Sequence, residues 1–268
     1  LKTDYIDLFQ VHWPNPDIPL DDTFRAMEKL VSDGKVKYIG VSNFTVKEIT
    51  EVLKILKSNE LASVQTEYNL FERSIEEELL PLSEKYDFAI LAYSPLAQGR
   101  LANGKVQIKI IEDLARKYDA NPAQIILQYL IKNQNTIPIP NTSKVHRLIE
   151  NINASYINIE EEDMKLIYDN CRTEIQNIDT KKIRVSDDYN RMVYHTIEEA
   201  MENKMGMVPS PLDLSNQIKD GEFLKPVRLK KNKNGNQFDL TEGRLRYWAW
   251  IIAYGWDEPV PALVWKEN

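Results

Sequence analysis

The sequence predicts an α/β fold: parallel strand–helix units over residues 1–175, then a small α+β unit over residues 191–268. Three observations carry this. In residues 1–155, short apolar runs rich in Val, Ile and Phe alternate with longer amphipathic runs, the pattern of right-handed βαβ crossovers. The apolar runs show little polar alternation, as strands covered on both faces do. After Asn151 the pattern changes, and a polar stretch without clear period, 176–190, reads as a linker before the last block.

The expected strands of the first part are Tyr5–Val11, Val36–Val41, Ala62–Glu67, Phe88–Ala92 and Thr136–Ile139. Asp22–Ser32 places Phe24, Met27, Leu30 and Val31 on one side of a helix. Thr45–Lys57 carries Ile49, Val52, Leu53 and Leu56, and Thr45 with Glu48 three residues on forms a capping box. Glu76–Tyr86 carries Leu79, Leu80 and Leu82, and Val106–Tyr118 and Pro122–Lys132 follow as consecutive helices. Ile159–Cys171 opens on Glu160, Glu161, Glu162 and Asp163, which suit the positive end of a helix dipole. In the last block Leu212–Lys219 and Leu245–Ala253 read as helices. Pro226–Leu229, Phe238–Leu240 and Ala262–Trp265 read as strands, the first two around a turn at Asn232–Asn236. His195 falls on a short helix with Glu198 and Glu199, without convincing metal spacing.

The length, 268 residues, suits one (β/α)₈ barrel or two ordinary domains, and 43% hydrophobic residues suffice for a sizeable core. A net charge of −7 argues against a general polyanion binder. A single cysteine, Cys171, excludes an intrachain disulfide framework and a cysteine-based zinc site. No apolar run approaches the roughly 18 residues of a membrane span, and no signal peptide is visible. The expectation is a cytoplasmic protein with no metal. Residue 1 is Leu, and Asp4–Trp13 already reads as a core strand, so upstream residues are expected to have been removed or never included.

Five motifs occur in order: Asp4-Tyr-Ile-Asp-Leu-Phe-Gln-Val-His-Trp-Pro14, Gly34-Lys-Val-Lys-Tyr-Ile-Gly-Val-Ser-Asn-Phe44, Val64-Gln-Thr-Glu-Tyr-Asn69, Ala92-Tyr-Ser-Pro-Leu-Ala-Gln-Gly99, and Ile139-Pro-Asn-Thr-Ser143 running on to Arg147, Glu150 and Asn151. With them residues 1–175 resemble the aldo-keto reductase family, matching its (β/α)₈ barrel from the fourth strand to the eighth. The resemblance implies a partial TIM barrel that binds NADP or NAD across the carboxyl ends of its strands and reduces an aldehyde or ketone. It makes His12 the histidine of the family's Asp-Tyr-Lys-His tetrad, orienting the carbonyl; the competing reading is a buried histidine satisfied by a carbonyl. Ser42, Asn43 and Gln65 would hold the nicotinamide carboxamide, although Ser42 or Asn43 could instead cap a helix. Tyr93 would stack on the nicotinamide, or be a core tyrosine. Ser94, Leu96, Gln98 and Gly99 would line the pyrophosphate, largely through N–H groups. Asn141 and Thr142 would meet the adenosine phosphate at a helix start, with Arg147 on a 2′-phosphate and Glu150 and Asn151 at the adenine. Many family members carry Lys at the position of Asn141, which weakens the case for strict NADPH preference; Lys144 stands nearby. The tetrad's Asp, Tyr and Lys belong to the first three strands of the family barrel and are assigned to no residue of this chain; a five-stranded partial barrel would expose two sheet edges.

In the C-terminal part, Leu212–Gly221, Pro226–Leu229, Phe238–Ala249 and Gly255–Val264 resemble the ParB-like nuclease (ParB/sulfiredoxin) superfamily, on a Glu-Gly-x-x-Arg run before an apolar helix. Gly243 would permit the turn into that helix, whose N–H groups with Arg244 and Arg246 would hold a phosphate. Glu242 would be the candidate acid. Lys225–Arg246 holds seven basic residues against two acidic ones; the competing reading is a solvated hairpin with Arg244 and Arg246 in surface pairs. Trp248, Trp250, Trp256 and Trp265 suit a core or an interface better than a base-stacking platform. The leading expectation is therefore a carbonyl reductase with an appended phosphate-binding unit. The alternative is a cofactor-sensing or regulatory protein whose C-terminal unit binds nucleotide or DNA. A third reading makes the last 80 residues an interaction module that covers the barrel or builds an oligomer.

Overall fold

The computed structural model of the chain describes residues 3–101, 108–133, 135–171, 175–185, 194–221, 225–232 and 236–265. Two compact units divide it, Leu1–Arg172 and Thr173–Asn268.

In the first unit β1 (Ile6–Val11), α1 (Leu20–Ser32), β2 (Val36–Ser42), α2 (Val46–Ile55), β3 (Leu61–Glu67), α3 (Leu79–Tyr86), β4 (Ala89–Tyr93), α4 (Lys109–Lys117), α5 (Pro122–Lys132), β5 (Thr136–Pro138), α6 (Val145–Asn153) and α7 (Glu161–Asn170) follow in order. The five strands form one sheet in the order β1-β2-β3-β4-β5, every neighbouring pair parallel. Each helix returns the chain to the same end, so all the carboxyl ends of the strands lie together.

The capping box at Thr45 forms: its hydroxyl accepts the Glu48 N–H at 3.2 Å, and its own N–H donates to the Glu48 carboxylate at 2.7 Å. Asn121 and Gln124 form a second one ahead of α5. Helix α5 is buried from Ile125 to Leu130, while α1 buries Phe24 and Met27 and α2 buries Ile49 and Val52. Helix α3 begins at Leu79 rather than Glu76, because Ser74–Glu76 forms a 3₁₀ turn that hands the Glu76 carboxylate to Arg73 and Tyr68. The expected start of α4 at Val106 lies outside the described residues. Among the described residues no helix is long and apolar enough to cross a membrane.

The strands do not all read alike. In β3 the polar Ser63, Gln65 and Glu67 alternate with Ala62, Val64 and Thr66, against the expectation of little polar alternation. At the two ends of the sheet, apolar side chains stay exposed: Phe9 on β1, Ile137 on β5, and Val145, Leu148, Ile149 and Ile152 on α6, which buries no residue.

The second unit contains β6 (Ile175–Ile178), β7 (Ile183–Arg184), α8 (Ile197–Met201), α9 (Pro211–Lys219), β8 (Val227–Lys231), β9 (Phe238–Glu242), α10 (Arg244–Tyr254) and β10 (Val260–Trp265). Its sheet runs β6-β10-β8-β9-β7, with β10–β8 and β9–β7 parallel and the other pairs antiparallel. Leu229, Leu240, Tyr247, Trp248, Ile251 and Ala262 form its core.

The stretch 176–190, read as a linker, is corrected over its described part. β6 pairs with β10 and β7 with β9, so residues 175–178 and 183–184 belong to the second sheet, joined by a 3₁₀ turn at Thr180–Lys182. Strands of four and two residues at sheet edges, β6 mostly exposed, are too short to print a period on the sequence. Residues 186–190 lie outside the described residues, as do 233–235 in the expected turn at Asn232–Asn236. His195 precedes α8 instead of lying on it: Thr196 is the cap, and the His195 N–H donates to Glu199 at 2.9 Å.

Candidate functional site

The parallel register stacks polar residues in steps toward the carboxyl ends of the strands. Gln10 pairs with Gly40 and Gly40 with Ser63; one step higher Ser42 pairs with Gln65; above that Glu67 pairs with Tyr93. A period of two puts these residues on the same side of each strand. The lower layer is tight. Gln10 Nε2 donates to Ser63 Oγ at 3.2 Å, and a Cβ on Gly40 would lie 2.5 Å from that oxygen.

Asn43 is the hub of the next layer. Its backbone is left-handed, φ 60°, and its N–H donates to the Gln65 carbonyl at 3.0 Å. Its Nδ2 donates to the His12 carbonyl at 3.2 Å and to Ser42 Oγ at 3.0 Å, and its Oδ1 accepts from the Tyr93 hydroxyl at 3.0 Å. The Asn43 carboxamide thus joins the ends of β1, β2 and β4, and its backbone N–H adds β3.

These contacts exclude three of the structural alternatives without assigning the residues a role. His12 is exposed, so it is not a buried histidine. Neither Ser42 nor Asn43 caps α2, because Thr45 does. Tyr93 is half-buried with its hydroxyl bonded at the site, not a core tyrosine.

After β4 the chain turns sharply, with positive φ at Ser94 (49°), Ala97 (48°) and Gly99 (82°). The N–H groups of Ala97, Gly99, Arg100 and Leu101 donate to carbonyls within this loop, at Ser94, Leu96, Ala97 and Leu96. Gly99 therefore shapes the loop, and its N–H is engaged within it. Ser94 and Leu96 stay partly accessible; the side chain of Gln98 lies outside the described residues.

Ile139, just after β5, donates its N–H to the Ala92 carbonyl at 3.0 Å, which brings Asn141 and Thr142 to the same end of the sheet as Tyr93. Helix α6 starts at Val145, four positions beyond Asn141, because Thr142 Oγ1 takes the Lys144 N–H at 3.1 Å ahead of it. Arg147 is exposed on the first turn, and Glu150 and Asn151 follow half-buried. The Glu150 carbonyl accepts from Gln124 of α5 at 3.1 Å.

Asn69, Glu67 and Gln10 were missed as site residues. Asn69 is fully buried and its Nδ2 donates to the Ser94 carbonyl at 3.1 Å. The every-second-residue polarity of Ser63, Gln65 and Glu67 was the available signal. Next to Asn69, burial raises the Tyr68 and Tyr129 hydroxyls well above the ordinary phenol value, and the Glu76 carboxylate adds to both.

In the second unit Gly243 has φ 89° and precedes α10, as the motif requires. The surrounding charges are largely engaged. Arg228 is buried and pairs with Glu242 at 2.7 Å, so the candidate acid is an ion-pair partner. Arg246 Nη1 donates to the Lys225 and Pro226 carbonyls at 2.9 and 3.2 Å, and its guanidinium lies over Gly243. The basic run is therefore not one solvent-facing patch, and the surface-pair reading fails for Arg246 as well. Arg244 opens α10 half-buried. Trp248 is core, with its Nε1 donating to the Tyr194 carbonyl at 3.0 Å; the Trp265 side chain lies outside the described residues.

Residues 1–170 match the family model described as "Aldo/keto reductase family". The methylglyoxal reductase YeaE of Escherichia coli is 34% identical over 161 residues, covering 60% of this chain and 56% of that protein. The glyoxal reductase of Bacillus subtilis is 35% identical over 167 residues, covering 62% and 57%. The crystal structure of an aldo-keto reductase from Klebsiella pneumoniae in complex with NADPH superposes with a TM-score of 0.57 at 34% identity, covering 62% of this chain and 58% of that one. The chain thus spans a little over half the length of these relatives. With the family model covering well over half of the chain, and with the motifs that carry the match gathered at one end of a parallel sheet, the chain belongs to the aldo/keto reductase family.

Proposed function

We propose that residues 1–172 form strands four to eight of a (β/α)₈ barrel and supply the nicotinamide seat of an NADP(H)- or NAD(H)-dependent reductase of small aldehydes or ketones. The observation that carries this is the Asn43 hub, which fixes His12, Ser42 and Tyr93 together at the carboxyl end of the sheet. A hydroxyl, two carboxamides and a partly accessible aromatic ring fit a carboxamide-bearing ring, by hydrogen bonding at its edge and stacking on its face. When bound, the cofactor would supply the hydride. His12, exposed at the rim, would donate to the carbonyl oxygen and orient it. The proton donor of the family tetrad is assigned to no residue of this chain, and the role of these residues is to bind the cofactor and orient the carbonyl. Among the described residues, the outer sides of β1 and β5 pair with no strand, and this and the exposed apolar residues beside them support the partial-barrel reading.

The test is quenching of protein fluorescence by NADPH and by NADH in the whole chain. Saturable quenching that weakens about tenfold or more in Asn43→Ala is expected, since that change removes hydrogen bonds to three partners and leaves alanine at positive φ. No saturable quenching by either cofactor sinks the reading.

For residues 173–268 we infer a ParB-like phosphate-binding role, supported by the left-handed Gly243 leading into α10. The residue to test is Arg244, which opens α10 directly after Gly243. Salt-dependent binding of ATP or DNA that Arg244→Ala abolishes is the expected result; equal binding by the variant removes this role.

A further inference from the structure

We propose that Asn69 is a positioning residue for cofactor binding: it holds the Tyr93–Ser94 corner in the left-handed turn that presents the Tyr93 ring. The proposal rests on the reading of Tyr93 as the nicotinamide platform.

Asn69 is 0% exposed, and its carboxamide is saturated. Oδ1 accepts from the N–H groups of Phe71 at 3.0 Å and Glu72 at 3.1 Å. Nδ2 donates to Glu67 Oε1 at 3.1 Å and to the Ser94 carbonyl at 3.1 Å. Two backbone donors face one end of the group and two oxygens the other, which only a carboxamide in this orientation satisfies.

Its backbone is fixed as firmly. Asn69 and Glu72 exchange N–H···O bonds, both at 3.1 Å, closing a tight turn. The side chain therefore reaches Ser94 from a rigid base. Ser94 needs that support, because it has φ 49°, a conformation that side-chain-bearing residues rarely adopt. Hydrogen bonds to the two carbonyls of this corner come from Asn69 Nδ2 and the Ala97 N–H at Ser94, and from the Tyr68 N–H at Tyr93 at 3.3 Å. Of these, only the Asn69 contact comes from a side chain. The Tyr93 hydroxyl then reaches Asn43, so the turn and the hub share one ring.

Asn69→Asp is nearly isosteric but cannot donate when ionised, and it sets a second carboxylate against Glu67. Asn69→Ser, a second variant should the first fail to fold, can keep a turn acceptor for the Phe71 N–H while losing reach to Ser94.

Hydrogen exchange on the full chain without cofactor reads the corner directly. Exchange in peptides covering 93–101 is expected to rise about tenfold or more in either variant, with peptides of α1 and α5 unchanged. Adding Ser94→Gly to Asn69→Asp should return most of the protection, because glycine adopts the turn without support. Unchanged exchange at 93–101, or a rise spread over the whole unit that Ser94→Gly does not reverse, overturns the proposal. NADPH titration of the same proteins gives the second readout. A loss of affinity of about tenfold in Asn69→Asp, partly restored by Ser94→Gly, is expected; equal affinity in the variant overturns the cofactor-positioning role. A parent chain that binds neither NADPH nor NADH overturns both the function proposed for the site and this role, even if exchange still shows Asn69 holding the turn.

Discussion

Gly40 bears on the site without touching a ligand. It lies between Gln10 and Ser63 in the layer below Ser42 and Gln65, and an added Cβ would meet Ser63 Oγ at 2.5 Å and Gln10 Cγ at 2.9 Å. A side chain here has no room in a sheet held on both sides by the ladder. Gly40→Ala is expected to destabilise the first unit by about 1–3 kcal/mol through overpacking. It should also weaken NADPH binding by displacing β1 against β3. Urea unfolding followed by circular dichroism checks the first effect, and an unchanged midpoint would contradict it. Gly243 in the second unit is constrained differently: its positive φ would strain a side chain, whose Cβ would also crowd the Arg246 guanidinium at 3.1 Å. The turn at Gly243 into a helix was legible in the sequence, but the engagement of Arg246 by two carbonyls was not, since nothing local marks which oxygens a long side chain will reach.

Helix α7 is tied to α4 by charge as well as packing. Lys117 Nζ lies 2.7 Å from Glu160 and 2.6 Å from Asp163, and the Tyr118 hydroxyl donates to the same Asp163 carboxylate. The hydrogen bond from Lys117, then that from Tyr118, holds the Asp163 carboxyl below its ordinary value of 3.8. A carboxyl lower in the folded than in the unfolded state stabilises fully above the ordinary value, and the contribution is lost as pH falls through the lowered folded value. The stability of the first unit is therefore expected to fall as pH drops below about 4, and Asp163→Asn should flatten that fall. Urea midpoints measured at pH 6, 4 and 3 test this; parallel profiles for parent and variant would refute it. The sequence reading took Asp163 as a dipole partner at a helix start and could not see Lys117 across 46 residues. Elements with local signals, such as the Thr45 box or the buried run of α5, were legible almost to the residue. The edge strands β6 and β7 were not, because their pairing partners lie far along the chain and their own residues carry no pattern. The site divides the same way. His12, Ser42, Asn43, Gln65 and Tyr93 are candidates that the motifs mark, whereas the reach of Asn69 to Ser94 shows in the side-chain network.

At the scale of the molecule, the two units have separate cores. Leu130 is fully buried in the first, among the residues of α5, and Leu240 is fully buried in the second, in the cluster with Tyr247 and Trp248. Each core is closed by its own sheet, one all parallel and one mixed. If each sheet and its helices unfold as one cooperative body, the whole chain should show two denaturant transitions. Leu130→Ala should lower the stability of the first by about 2–5 kcal/mol, and Leu240→Ala that of the second by a similar amount, each leaving the other transition in place. The fluorescence of Trp248 and Trp256, packed edge to face at 6.2 Å, reports the second unit; NADPH quenching, where it occurs, reports the first. A single transition, or two that move together in either variant, would show that the chain folds as one body, and the separate treatment of its two sites would then fail.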